Sequence, residues 1–315
     1  MPLPPEAVAE RRRLTRRLVL WRTLAALALM VAVLAWSGVA GLGDLLPGGG
    51  DRVAILDIHG VIASDRQRSL AIAALKDDDS VKALMLRIDS PGGTFVGSDD
   101  LHRELREIAT QKPVVAIINN VAASGGYMAA IAADQIFARR GSITASVGVI
   151  FQSPRVSRLM ETVGIDMDIW RSGSLKSRPS PFETASEEAS QQAQEMVNRL
   201  YTMFLDMVKD RRGLTVPAVI EISDGRVVTG QRALELGLID VLGGEESARA
   251  WLADKKSISK DLPTDNITPE PPLERHGLMG RAMTAVLGDR QAGAEFGLSG
   301  LLALWHPLAS SPSLR

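Results

Sequence analysis

No cysteine occurs anywhere in the 315 residues. That absence excludes disulfides, zinc–thiolate sites and a thiol nucleophile, and it is compatible with either side of a membrane. Histidine is nearly as scarce. His59, His102, His276 and His306 stand far apart and in no ligand spacing, so neither a histidine-rich metal centre nor any other metal or cofactor is expected. An excess of charge of one sign is missing too. Lys and Arg number 36 against 37 Asp and Glu, a net charge of −1, whereas a general nucleic-acid binder would carry a broad basic excess. Neither DNA nor RNA is expected as a partner, and no internal repeat is visible.

What is present begins at the amino end. Arg11, Arg12, Arg13, Arg16, Arg17 and Arg22 precede TLAALALMVAVLAWSGVAGLG (Thr23–Gly43), an uncharged run of about the 20 residues that cross a hydrocarbon core as a helix. A cleaved secretory signal and a buried core helix are the alternatives. The run exceeds a typical signal h-region and is apolar all round its circumference, which favours a retained anchor. The expected plan is an Arg-rich cytoplasmic segment over 1–17 and a transmembrane anchor over 18–43. Arginines on one flank, with Asp44 and Asp51 on the other, place the N-terminus in the cytoplasm and the remainder outside it. In a Gram-negative cell this describes a single-pass inner-membrane protein whose main domain is periplasmic.

Beyond LPGGGD the text alternates. RVAILDIHGVI (Arg52–Ile62), KALMLRID (Lys82–Asp89) and PVVAIINNV read as strands, the last apolar enough to be covered on both faces. SDDLHRELREIATQ (Ser98–Gln111) reads as a helix with Ser98 at its N-cap, and a second helix starts at Gly125. GVIF and DMDIW are shorter strand candidates. Ala189, Ala193, Met196, Leu200, Met203 and Met207 recur at helical spacing, as a packing face does. The alternation predicts an α/β domain with a largely parallel sheet over 52–252. A linker rich in Pro and charge follows over 253–272, then a weakly amphipathic tail over 273–315.

Ligands of α/β sheets gather outside the carboxyl ends of the strands, so loops after strands are searched first. In RIDSPGGTFVGS, the pair Gly92-Gly93 allows backbone amides to approach a ligand closely; its plain alternative is an ordinary turn. In INNVAASGGYMAAIAAD, Ser124 stands where an apolar run ends and a helical pattern starts. One explanation is that its hydroxyl merely caps the helix. The other is a nucleophile beside an oxyanion hole formed by the amides of Gly93 and Gly125. A serine needs a base, yet no histidine follows a strand in a suitable loop. The remaining candidate is a lysine whose ammonium is destabilised by burial. WRSGSLKSRPSPFE (Trp170–Glu183) supplies Lys176, which could equally be an ordinary solvated charge.

Taken in order behind one anchor, SPGG, ASGGYMAA, GSITASVGV, GSLKSRPSPF and DGRVVTGQRALELGLID resemble the signal peptide peptidase A family of membrane serine peptidases, over roughly 52–252. The resemblance implies an α/β, crotonase/Clp protease-like fold behind an N-terminal transmembrane helix. It implies Ser124 as nucleophile, Lys176 as general base, Gly93 and Gly125 as oxyanion donors, and Ser146 as the hydroxyl orienting the lysine amine. It further implies remnant signal peptides as substrates, and a homo-oligomeric ring of eight in which neighbouring subunits share each Ser–Lys dyad. The sequence departs from the family pattern at GSLKS, where a tyrosine commonly precedes the lysine, and at TASVG in place of TGSIG; both keep the functional groups. The competing readings are a SohB-type or stomatin-associated membrane protease, a crotonase-like acyl-CoA enzyme, and a non-catalytic membrane scaffold.

Overall fold

The computed structural model describes residues 17–27, 29, 50–269 and 302–304, and it divides the chain into two units, Met1–Gly50 and Asp51–Arg315. In the first, residues 17–27 are helical and exposed. Among the described residues no helix is long and apolar enough to cross a membrane; most of the predicted span, from residue 30 onward, lies outside them.

The second unit runs β1 (Arg52–Ile62), α1 (Arg66–Ala74), β2 (Val81–Thr94), α2 (Phe95–Ala109), β3 (Val114–Ala123), α3 (Gly125–Ala130), β4 (Gln135–Ala138) and β5 (Ile143–Ala145). Then come α4 (Ser157–Thr162), α5 (Glu187–Arg212), α6 (Val216–Ile222), β6 (Val227–Thr229), α7 (Gly230–Glu235), β7 (Val241–Leu242), α8 (Glu245–Lys256), β8 (Thr264–Asn266) and β9 (Leu302–Leu304). The central order is β6-β5-β3-β2-β1-β8. Pairings are parallel except β5 with β6 and β2 with β9, so the expected mixed α/β architecture holds. Residue alternation explains the layers. Ala54, Leu56 and Ile58 face one cluster with Leu101, Leu105 and the residues of α3; Val53 and Ile55 face the other with Ala248 and Leu252 of α8.

The sheet forks at β3. Its first half pairs with β4 through Val115–Ile118, whereas Val121–Ala123 pair with β5. The strand therefore leaves one neighbour for another just before Ser124, and its end is held by a different part of the chain from its beginning.

Several boundaries differ from the sequence reading, each for a local reason. β2 does not turn at Pro91-Gly92-Gly93 but continues to Thr94, paired with β1 through Ile62 and Gly93. Proline is tolerated there because β3 has already parted from β2 after Ser90, so no ladder donor is needed on that side. α2 starts four residues early: Thr94 is its cap and accepts from the Gly97 amide at 3.1 Å, while Ser98 is buried inside the helix. GVIF and DMDIW form no strands. Ile150, Met167, Ile169 and Trp170 are exposed, so their apolar character is a property of the surface and not of a core strand. The Pro-rich stretch after α8 supplies β8 on the outer edge of β1, pinned by the Ile267 amide donating to the Ile55 carbonyl at 2.9 Å. Its side chains are exposed, as an edge strand of polar composition requires.

Candidate active site

Ser124 sits between β3 and α3 with φ 51° and ψ −117°, in a backbone region that a residue with a Cβ enters only at a cost of about 1–3 kcal/mol. Its amide donates to the Ala145 carbonyl at 2.8 Å and its carbonyl accepts from the Met128 amide at 2.9 Å, so both sides of the corner are tied down. The hydroxyl makes no capping bond to α3. It donates only a long bond, 3.4 Å, to the Gly148 carbonyl, and the residue is 1% exposed. A serine recruited as a cap has an extended backbone and an engaged hydroxyl, as Ser186 shows at the start of α5. Ser124 has neither.

Gly93 lies against this corner. A Cβ built on Gly125 would stand 3.1 Å from the Gly93 nitrogen, which brings the two glycine loops into direct contact. The same close approach fixes both identities: a Cβ on Gly93 would fall 1.8 Å from the Ile62 carbonyl oxygen, and one on Gly125 would fall 2.2 Å from Ser98 Oγ. Gly93→Ala is therefore expected to cost about 1–3 kcal/mol from overpacking. It should also lower the rate of any reaction that uses the Gly93 amide by on the order of 10²-fold. Thermal melts alongside turnover of the purified variant measure both.

Ser146 follows β5 with φ 53°, directly after Ala145 with φ 69°, and its amide donates to the Arg226 carbonyl at 2.9 Å. Non-glycine residues strained in this way collect at functional sites. The structure places Ala145 against Ser124 by a hydrogen bond and Gly148 against its hydroxyl, so the Ser146 loop joins the two glycine loops at the corner.

Lys176 does not. Its side chain is exposed, and no hydrogen bond links it to Ser124 or Ser146 within the chain. The loop that bears it is nonetheless ordered by its neighbours. Arg171 donates through Nε to the Lys176 carbonyl at 2.9 Å and through Nη2 to Glu183, which Arg178 grips from the other side at 3.2 Å. Ser177, next to the lysine, has φ 61°. The Arg171–Glu183–Arg178 cluster escaped the sequence reading; the charges flanking Lys176 in WRSGSLKSRPSPFE were its signal.

Two further features bear on what can enter. Leu302–Leu304 lie antiparallel on Gly92–Thr94, the stretch of β2 beyond the departure of β3. A cavity of about 320 Å³ opens beside the corner, lined by Ser146, Gly148, Asn198, Tyr201 and Asp224 among others. Among the described residues no group of His, Asp or Glu could hold a metal ion.

Comparison with known proteins bears on this arrangement. Residues 106–259 match the model of peptidase family S49. A chain from Synechocystis provisionally named a protease is 36% identical over 241 residues, which span 76% of this chain and 87% of that one. The chain belongs to peptidase family S49. An Enterococcus faecium protein provisionally named signal peptide peptidase SppA is 32% identical over 66% of this chain and 64% of its own. The chloroplastic serine protease SPPA of Arabidopsis thaliana is 33% identical over 68% of this chain but only 34% of its own. This S49 chain thus corresponds to part of the longer relatives and to most of the Synechocystis one. Membership places it among the peptidases.

Proposed function

We propose that the chain is a membrane-anchored serine endopeptidase of crotonase/Clp-like fold, with Ser124 as nucleophile and Lys176 of an adjacent copy as general base. The observation that carries this reading is the corner itself. A buried serine on a strained strand-to-helix turn, its hydroxyl free of capping, has the Gly93 and Gly125 backbones beside it. Nucleophile elbows share that construction. Ser124 Oγ would attack the scissile carbonyl, the oxyanion would form against the amides of Gly93 and Gly125, and the amine would take the serine proton and return it to the leaving nitrogen.

Exposure of Lys176 supports a shared site over one closed within a chain. The arm around it carries Leu159, Val163, Ile165, Met167 and Trp170 on its surface, the last 88% exposed. Apolar surface on this scale is covered in a stable protein, and a second copy covering it would bring the lysine to a neighbour's serine. An amine withdrawn from water loses its preference for the ammonium form. A ring, with eight copies as the working expectation, satisfies every arm in the same way.

For substrate we propose extended apolar peptides, remnant signal peptides foremost. The stretch of β2 that β3 has left supports this: it takes an antiparallel strand whose sequence is Leu-Ala-Leu, as β-augmentation of a peptide would require. The anchor over 18–43 would hold such a site beside the bilayer on the periplasmic side of the inner membrane. The test is covalent. A fluorophosphonate probe added to the full-length oligomer is expected to attach to Ser124 and to no other residue, as located by peptide mass spectrometry. Label elsewhere, or none, removes the nucleophile.

A further inference from the structure

The far end of α3 is gripped by side chains from two other helices. His102 Nδ1 lies 2.8 Å from the Met128 carbonyl oxygen. Arg106, one turn further along α2, donates to the Ala132 carbonyl at 2.9 Å. Arg211, in the last turn of α5, donates through Nε to Ile131 at 2.8 Å and through Nη2 to Ala133 at 3.0 Å. In the last turn of α3 the carbonyls of Tyr127, Ala129 and Ala130 accept backbone amides, whereas that of Met128, and those of Ile131, Ala132 and Ala133 just beyond the helix, are taken by these side chains. All of α3 is buried, so these oxygens must find donors in the protein. Three basic residues supply them.

The connection to Ser124 is direct. Met128 is tied through both of its backbone polar groups: its carbonyl is held by His102, and its amide donates to the Ser124 carbonyl at 2.9 Å. Two hydrogen bonds therefore run in line from the imidazole to the backbone of the serine, which stands in a conformation it would not hold unaided. Because a carbonyl oxygen can only accept, Nδ1 carries the proton.

We propose that His102 is a positioning residue for the reaction at Ser124, acting with Arg106 and Arg211 to clamp the last turn of α3 and thereby fix the height and angle of the serine on its corner. This rests on Ser124 being the nucleophile. The surroundings of the ring agree with a fixed, neutral donor. Burial, followed by the Arg211 and Arg106 guanidiniums, pushes its pKa below the ordinary 6.5 and outweighs the opposing Met128 carbonyl and Asp99 carboxylate. A displacement of about 1 Å at a reacting atom can cost on the order of 10²-fold in rate, so a remote grip of this kind has room to matter.

The test uses the full-length oligomer and a fluorophosphonate, comparing wild type, His102→Leu, His102→Asn and Arg106→Gln. Loss of the clamp is expected to lower the maximal rate constant of inactivation by about 10-fold or more in His102→Leu, with the half-saturating probe concentration unchanged. His102→Asn, whose amide can donate from nearly the same place, recovers most of it. Arg106 is partly exposed, so Arg106→Gln tests the clamp in a variant that folds, and a several-fold slowing is expected. Partial unfolding would lower the fraction of subunits labelled, whereas misplacement lowers the rate. Wild-type rates in folded His102→Leu and Arg106→Gln overturn the proposal alone. A wild type that takes no label at Ser124 overturns the nucleophile and the clamp together.

Discussion

Ser124→Ala is expected to lower peptide cleavage by on the order of 10⁴-fold or more, and to leave the thermal midpoint and the assembly state where they are. The two halves of this expectation have one source. Ser124 Oγ caps no helix and makes a single long contact, so its removal forfeits little folding energy. Most of what stabilises the corner is backbone: the bonds to Ala145 and Met128 survive the substitution. Alanine must still occupy φ 51°, but that strain exists in the serine form as well. A hydroxyl that costs nothing to remove structurally, and everything catalytically, is a nucleophile. Cleavage of a signal-sequence peptide by purified wild type and variant, with melts of both, decides the matter. Retained turnover, or retained cellular function in a strain carrying only the variant, would leave a scaffold in place of an enzyme.

The second large effect is expected at Lys176. Lys176→Met should lower cleavage by on the order of 10³-fold, the range associated with losing a general base. Stability should not change, since in a single copy the amine faces solvent. Mixing separates a shared dyad from a local one. When equimolar Ser124→Ala and Lys176→Met copies are dissociated and reassembled together, about a quarter of the interfaces in a random ring recover an intact pair, and activity should return in proportion. If properly mixed assemblies remain as inactive as either parent, serine and lysine do not meet across copies.

Much of this site was legible in the residues. Ser124 was conspicuous because an almost unbroken apolar strand gives way at one hydroxyl to Gly-Gly and a run of alanines. The crowding at Gly93 and Gly125 is against the protein itself, where a Cβ would meet the Ile62 carbonyl and Ser98 Oγ, and the identity of those neighbours is not written in SPGG or ASGGY. The fork at β3 was not legible, since hydrophobic pattern reports that a strand is buried and not which neighbour covers which half. Nor was the strain at Ala145 and Ser146, which belongs to two ordinary residues held by distant partners. DMDIW misled because Asp alternating with Met and Ile has the pattern of a half-buried strand, while its apolar residues stand on an exposed arm. β8 was masked for the opposite reason: an edge strand can be polar throughout. The burial of His102 is not evident from its immediate neighbours, because Asp99, Asp100, Arg103 and Glu104 surround it in the text. Helical spacing places it beside Ser98, Leu101 and Leu105 on the buried face.

The outward-facing lysine has a bearing on how such a hydrolase can be made safely. If its base comes from a neighbour, as proposed, a lone copy would hold a hydroxyl with nothing to take its proton, and would be latent until it met another. Encounter between copies would then act as the switch, and an anchor that confined them to one surface would make that encounter more frequent.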